Sequence, residues 1–199
     1  NVSIVVKELT KFFDKQIAVN KISFEAHPGR ILGFLGPNGA GKSTTMKMIT
    51  GFLSPNHGEI FVAGINTSLE SIYVKQKIGY LPESNPLYFD MYVKEYLQFV
   101  GEIYRVKNLK NRINEVIEAT GLQKEQHKQI GQLSKGYKQR VGLAQSIIHN
   151  PEVLILDEPT SGLDPNQLIE IRNLIKELGK TKTVILSTHI MQEVEAICD

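Results

Sequence analysis

The 199 residues contain a single cysteine, Cys198, so no internal disulfide framework can form and the chain suits a reducing compartment. The net charge of +2 argues neither for nor against nucleic acid, but no basic run tracks along the chain, and nucleic acid is not an expected partner. No stretch approaches the roughly 18–20 uncharged apolar residues that span a bilayer, and no signal peptide opens the chain. Service to a membrane process would therefore require another polypeptide to supply the span. Internal repeats and low-complexity segments are also missing. Asn1 is not a methionine, and Asp199 follows apolar positions Ile190, Val194 and Ile197 at helical spacing. Both ends look cut, and the expectation is a domain from a longer protein with a truncated C-terminus.

What is present is ordinary for a globular domain, with 41% apolar and 22% charged residues. Ile4–Val6, Ile17–Phe24, Glu59–Val62, Lys77–Leu81, Val153–Asp157 and Thr183–Ser187 read as strands. Ile31–Leu35 reads as a strand covered on both faces, because its apolar run does not alternate. Between Pro82 and Pro151 the period changes. Val93, Tyr96, Leu97, Val100 and Tyr104 share one helical face, Leu109, Ile113, Val116 and Ile117 a second, and Tyr137, Val141, Ala144 and Ile148 a third. Leu168, Ile171, Ile175 and Leu178 mark a helix between the last two strands. The expected fold is α/β: a mostly parallel central sheet with right-handed crossovers, and a helical insertion between sheet-forming halves.

Residues 36–44 read Gly36-Pro37-Asn38-Gly39-Ala40-Gly41-Lys42-Ser43-Thr44, after a buried-type strand and before a helix expected over 42–50. Glycines let successive backbone N–H groups turn inward on an anion, and the helix adds its positive end. In this P-loop Lys42 can reach the β- and γ-phosphates, and the Ser43 hydroxyl can ligate Mg2+. Further on, the apolar strand 153–156 ends in Asp157-Glu158, which places two acids at the ligand-binding edge of a parallel sheet. Asp157 suits Mg2+, directly or through water, and Glu158 suits the general base that polarises the attacking water. ATP and Mg2+ are the expected ligands.

Around these stand Leu133-Ser134-Lys135-Gly136-Tyr137, Pro159-Thr160-Ser161-Gly162-Leu163-Asp164 and Ser187-Thr188-His189. In that order the motifs resemble the ATPase domain of ABC transporters, from about Val5 to the last residue. The resemblance implies a P-loop NTPase fold with an N-terminal antiparallel β part. It implies a core of residues 1–82 and 151–199 and a helical, signature-bearing subdomain of 83–150. By the same resemblance Phe13 stacks on adenine, and Ser134 and Gly136 touch the γ-phosphate of ATP held by a second copy. Asp164 connects the two active sites, and His189 is the switch histidine on the γ-phosphate. The aromatic segment 84–92 docks a permease subunit. The partners implied are a second nucleotide-binding domain and a transmembrane permease, at the cytoplasmic face of the membrane.

Two departures from the family pattern involve three positions. Lys135 and Tyr137 replace glycine and glutamine in the signature, and Glu83 stands where glutamine is usual. Glutamate keeps oxygens for Mg2+ or water but loses the amide donor, so Glu83 is expected at both the metal and the catalytic centre. Both variants look similar to the ATPase subunits of bacterial ABC-2-type exporters, including those linked to gliding motility. The competing function is a soluble ATPase of the same superfamily acting on DNA or ribosomes. The modest helical insertion, with no heptad run, disfavours the DNA-repair form. A GTP switch is disfavoured because no Asn-Lys-x-Asp tetrapeptide occurs.

Overall fold

The computed structural model describes residues 2–199. In chain order the strands are β1 (Ile4–Phe13), β2 (Gln16–Ala26), β3 (Ile31–Leu35), β4 (His57–Val62), β5 (Ile65–Asn66), β6 (Ile78–Leu81), β7 (Val153–Asp157) and β8 (Thr183–Thr188). The helices are α1 (Lys42–Ile49), α2 (Ser71–Lys77), α3 (Val93–Ile103), α4 (Leu109–Ala119), α5 (Lys135–Ile147), α6 (Pro165–Gly179) and α7 (Met191–Ile197).

Two sheets organise the chain. One is antiparallel in the order β2-β1-β4-β5, and the other is parallel in the order β3-β8-β7-β6. β1 sends Ile4, Val6 and Leu9 inward. The strict alternation breaks at a register shift between Val6 and Leu9, where Glu8 takes a positive φ of 46°. β7 is buried at all five positions, as a central parallel strand covered on both faces must be.

The parallel register decides where the chemistry falls. Leu35 pairs with Thr188 and Asp157 with Ser187, so Gly36, Glu158 and His189 leave the sheet at one edge. Pro82-Glu83 leaves the neighbouring β6 at the same edge. That edge is the carboxyl end of every strand, where ligands bind in open α/β sheets.

The three helical faces are buried as their periodicity requires: Val93, Tyr96, Leu97 and Val100 on α3, Ile113, Val116 and Ile117 on α4, and Val141, Ala144 and Ile148 along α5. They share a continuous core with Leu154, Leu186 and Ile175 on one side of the parallel sheet. Met46 and Ile49 of α1 join Ile60, Ile155 and Ile185 in a second core on the other side. Ser134 caps α5 by accepting the Tyr137 N–H at 3.3 Å, and Asp164 caps α6 by accepting that of Gln167 at 3.0 Å. Pro165 follows at the first helical position, where its missing N–H costs nothing.

α2 is the element that periodicity does not reveal. Its seven residues bury only Val74, so no apolar face marks it, and Lys77 closes this helix instead of opening the strand expected there.

Candidate functional site

The P-loop turns on two glycines with positive φ. Gly39 sits at 83°, and Gly41 at 93°, where a Cβ would lie 2.3 Å from the Ala18 carbonyl oxygen. Neither conformation tolerates a side chain at low cost. Gly36 anchors the loop to β8 through its N–H to the Thr188 carbonyl at 3.2 Å, and the Ala40 N–H closes a turn on the Pro37 carbonyl at 3.2 Å. The Lys42 ammonium donates to the carbonyls of Gly36 at 2.5 Å and Pro37 at 2.9 Å, so it is held inside the loop.

A cavity of about 310 Å3 opens on this loop. Asn38, Gly39, Gly41, Lys42, Ser43 and Thr44 form its floor, Phe13 stands at one wall, and Glu83 and Glu158 stand at another. Phe13 is 49% exposed, with the Lys11 ammonium 5.3 Å from its ring centroid.

The carboxylate pair is held from behind. The Ser187 hydroxyl donates to Asp157 Oδ1 at 2.5 Å and accepts the Glu158 N–H at 2.9 Å. Glu158 takes a positive φ of 49°, a sparsely populated conformation for a side-chain-bearing residue, and these bonds hold it there. The turn aims the Glu158 side chain into the site. Its carboxylate is only 5% exposed; Oε2 bonds His189 Nδ1 at 3.0 Å, while Oε1 has no hydrogen-bond partner among the described residues and lies 3.8 Å from the Lys42 ammonium. A buried oxygen without a partner, facing a phosphate-binding loop, is arranged to accept a proton or a water. Nearby, burial first and then the Asp157 and Glu83 charges push the Tyr80 phenol up to about 12.

Among the described residues no group of three His, Cys, Asp or Glu side chains is spaced to hold a metal by itself. Mg2+ commonly takes only one or two protein ligands and completes its shell with phosphate oxygens and water. Asp157 and Ser43, a buried carboxylate and a loop hydroxyl, fit that lean donor set.

Ser134 and Gly136 do not line the P-loop cavity. The Ser134 hydroxyl accepts from the Gln167 side chain at 3.3 Å, and a Cβ on Gly136 would meet the Gln167 side chain at 2.5 Å. The start of α5 is thus docked on the start of α6, beside Asp164. Sequence reasoning missed Gln16 and Ala18, which complete the cavity wall. It also gave Ser187 no role, although its hydroxyl organises both acids.

The fold and the phosphate-binding edge together define a P-loop ATPase domain. Residues 19–161 match the ABC transporter family, and the chain belongs to it as an ATP-binding domain. It is 40% identical over 194 residues to the bacitracin transport ATP-binding protein BcrA of Bacillus licheniformis, covering 96% of this chain and 63% of that protein. It is 38% identical over 205 residues to the Nod factor export ATP-binding protein I of Rhizobium meliloti, covering 100% of this chain and 60% of that one. These names do not extend to gliding motility. Among solved structures, cbiO1 of Clostridium perfringens, part of the ABC transporter complex cbiONQ, superposes with a TM-score of 0.87 at 31% identity. That match covers 100% of this chain and 83% of the other. The chain therefore spans under two-thirds of the length of the two curated relatives.

Proposed function

We propose that this domain binds and hydrolyses Mg-ATP as one half of a pair and energises transport through a permease at the cytoplasmic face of a membrane. The observation that carries the reading is the buried Glu158 carboxylate, with one oxygen free beside Lys42 and the other on His189. Loop N–H groups and Lys42 hold the β- and γ-phosphates, and Phe13 stacks on the adenine. Glu158 Oε1 accepts the proton of the attacking water, while His189 steadies the carboxylate and reaches the γ-phosphate. Asp157, Ser43 and Glu83 hold Mg2+, which when bound supplies positive charge to the phosphate oxygens. Ser134 and Gly136 present a helix N-terminus to the nucleotide of the second chain, and Asp164 links the two sites.

Residues 83–150 would act as the signature-bearing unit, and residues 1–82 with 151–199 as the core. Among the described residues no helix is long and apolar enough to cross a membrane. Tyr88, Phe89 and Tyr92 are exposed next to an apolar cavity of about 430 Å3 lined by Phe52, Pro86, Leu87 and Tyr104. Loose aromatics beside such a groove support docking of the permease there. The exporter reading draws on the names of the bacitracin and Nod factor relatives. Those names disfavour action on DNA or ribosomes, and the modest helical insertion disfavours the DNA-repair form further.

Lys42→Ala tests the nucleotide site directly. The substitution removes the only side-chain charge of the loop, and Mg-ATP binding measured by calorimetry should be lost or severely weakened. Affinity near the native value would overturn the assignment.

A further inference from the structure

Two acids of the site, Glu83 and Glu158, leave different strands, and each sits beside or within a turn containing a left-handed residue. Asn85 has φ 41° and Glu158 has φ 49°. One side chain of α5 touches both turns. Gln139 Nε2 donates to the Pro159 carbonyl at 2.7 Å, one residue beyond Glu158. Its Oε1 accepts from Asn85 Nδ2 at 3.4 Å, and the same amide donates to the Lys138 carbonyl at 3.0 Å. The helix is held close to that turn: a Cβ on Gly142 would lie 2.4 Å from Asn85 Oδ1 and 2.6 Å from Leu81. A second anchor, Gln145 Nε2 to the Tyr80 carbonyl at 2.9 Å, ties α5 to β6 just before the Glu83 turn. Gln139 lies with Glu83, Glu158, Lys135 and Ser161 on one cavity of about 320 Å3.

We infer that Gln139 is a positioning residue: its amide fixes the Glu83 turn relative to the Glu158 turn and makes both follow the signature helix. The primary amide serves both roles at once, giving an N–H to the Pro159 carbonyl and an oxygen to Asn85. Pro159 has no N–H of its own, so its carbonyl is the one backbone hydrogen-bonding group by which that residue can be gripped. A displacement of α5 is thereby transmitted to the carboxylate proposed as the base.

This inference rests on the proposed hydrolysis, so its test has one arm that needs no nucleotide. In the full-length protein Gln139→Met keeps the length of the side chain and removes both bonds. Without nucleotide, backbone hydrogen exchange should accelerate severalfold in segments 83–87 and 158–163 and stay native in the P-loop segment 36–45. With Mg-ATP, kcat should fall about tenfold, the rate equivalent of roughly one lost hydrogen bond. KM should stay within twofold, because the phosphate loop is untouched. Gln139→Asn, one methylene short, decides the case if the methionine variant does not fold. Native exchange in both turns, or kcat within twofold of native, or a KM that rises in step with a falling kcat, would overturn the role. If the native protein itself hydrolyses no ATP, the proposed function fails, and the exchange arm still judges Gln139.

Discussion

Glu193 carries a carboxylate that is 2% exposed on α7, and Arg172 of α6 holds both of its oxygens, through Nε at 3.0 Å and through Nη2. That side-chain hydrogen bonding raises the Arg172 pKa. The pair joins the helix that starts after Asp164 to the helix that starts after His189. Arg172→Met keeps the aliphatic length and strands the buried carboxylate. Breaking one partner of a buried pair costs about 3–5 kcal/mol. Arg172 keeps 24% of its side chain accessible, so water can reach part of the gap, and the low end, about 3 kcal/mol, is expected. With a urea slope near 2 kcal/mol/M, the unfolding midpoint should fall by about 1.5 M. Arg172→Met with Glu193→Leu removes both charges and should recover most of the loss, because an apolar pair avoids the desolvation cost. A single-variant loss below about 1 kcal/mol, or a double variant no more stable than the single, would refute the reasoning.

His149 stacks on Tyr104 with ring centroids 3.8 Å apart, and its Nε2 meets the Ile78 carbonyl at 2.9 Å. Burial pushes its pKa down to about 4; the Ile78 bond opposes this, and Lys182 and Arg112 add to it. As pH falls from about 6.5 toward 4, the unfolded chain takes up a proton that the native imidazole refuses, so stability declines by up to about 3 kcal/mol. Above that window the contribution is constant, and His149→Phe should flatten the slope of urea midpoint against pH; an unchanged slope would count against it. Phe13→Ala should weaken ATP by about 1–3 kcal/mol while leaving inorganic triphosphate binding unchanged. Equal ATP affinity before and after the change would make Phe13 structural.

Much of this arrangement was legible in the sequence because its parts are tied to strand ends. The run Ile31–Leu35 followed by residues 36–44, and Val153–Leu156 followed by Asp157-Glu158, each join an apolar strand to its chemistry. The edge they share follows from parallel topology alone. Ser187 stands in a named motif but was given no role, because its hydroxyl gains that role from pairing with Asp157 across the sheet, and no local spacing encodes that register. Gln16 and Ala18 belong to the antiparallel hairpin and reach the cavity only through its packing on the P-loop. Gln139 has no role that the sequence motifs assign. Its bonds to residues 54 positions before it and 20 after it are tertiary facts. α2 lacks an apolar stripe and so left no periodic trace.

The proposal that two chains complete each site is tested most directly by following ATP hydrolysis per chain against protein concentration. Lys42 and Glu158 share one sheet edge, whereas Ser134 and Gly136 stand outside their own P-loop cavity. The rate per chain should therefore rise with concentration and saturate as dimers form. Glu158→Gln should bind Mg-ATP, hydrolyse none, and sediment as a dimer with ATP but not with ADP. A strictly monomeric native protein that hydrolyses ATP at a concentration-independent rate would contradict the account.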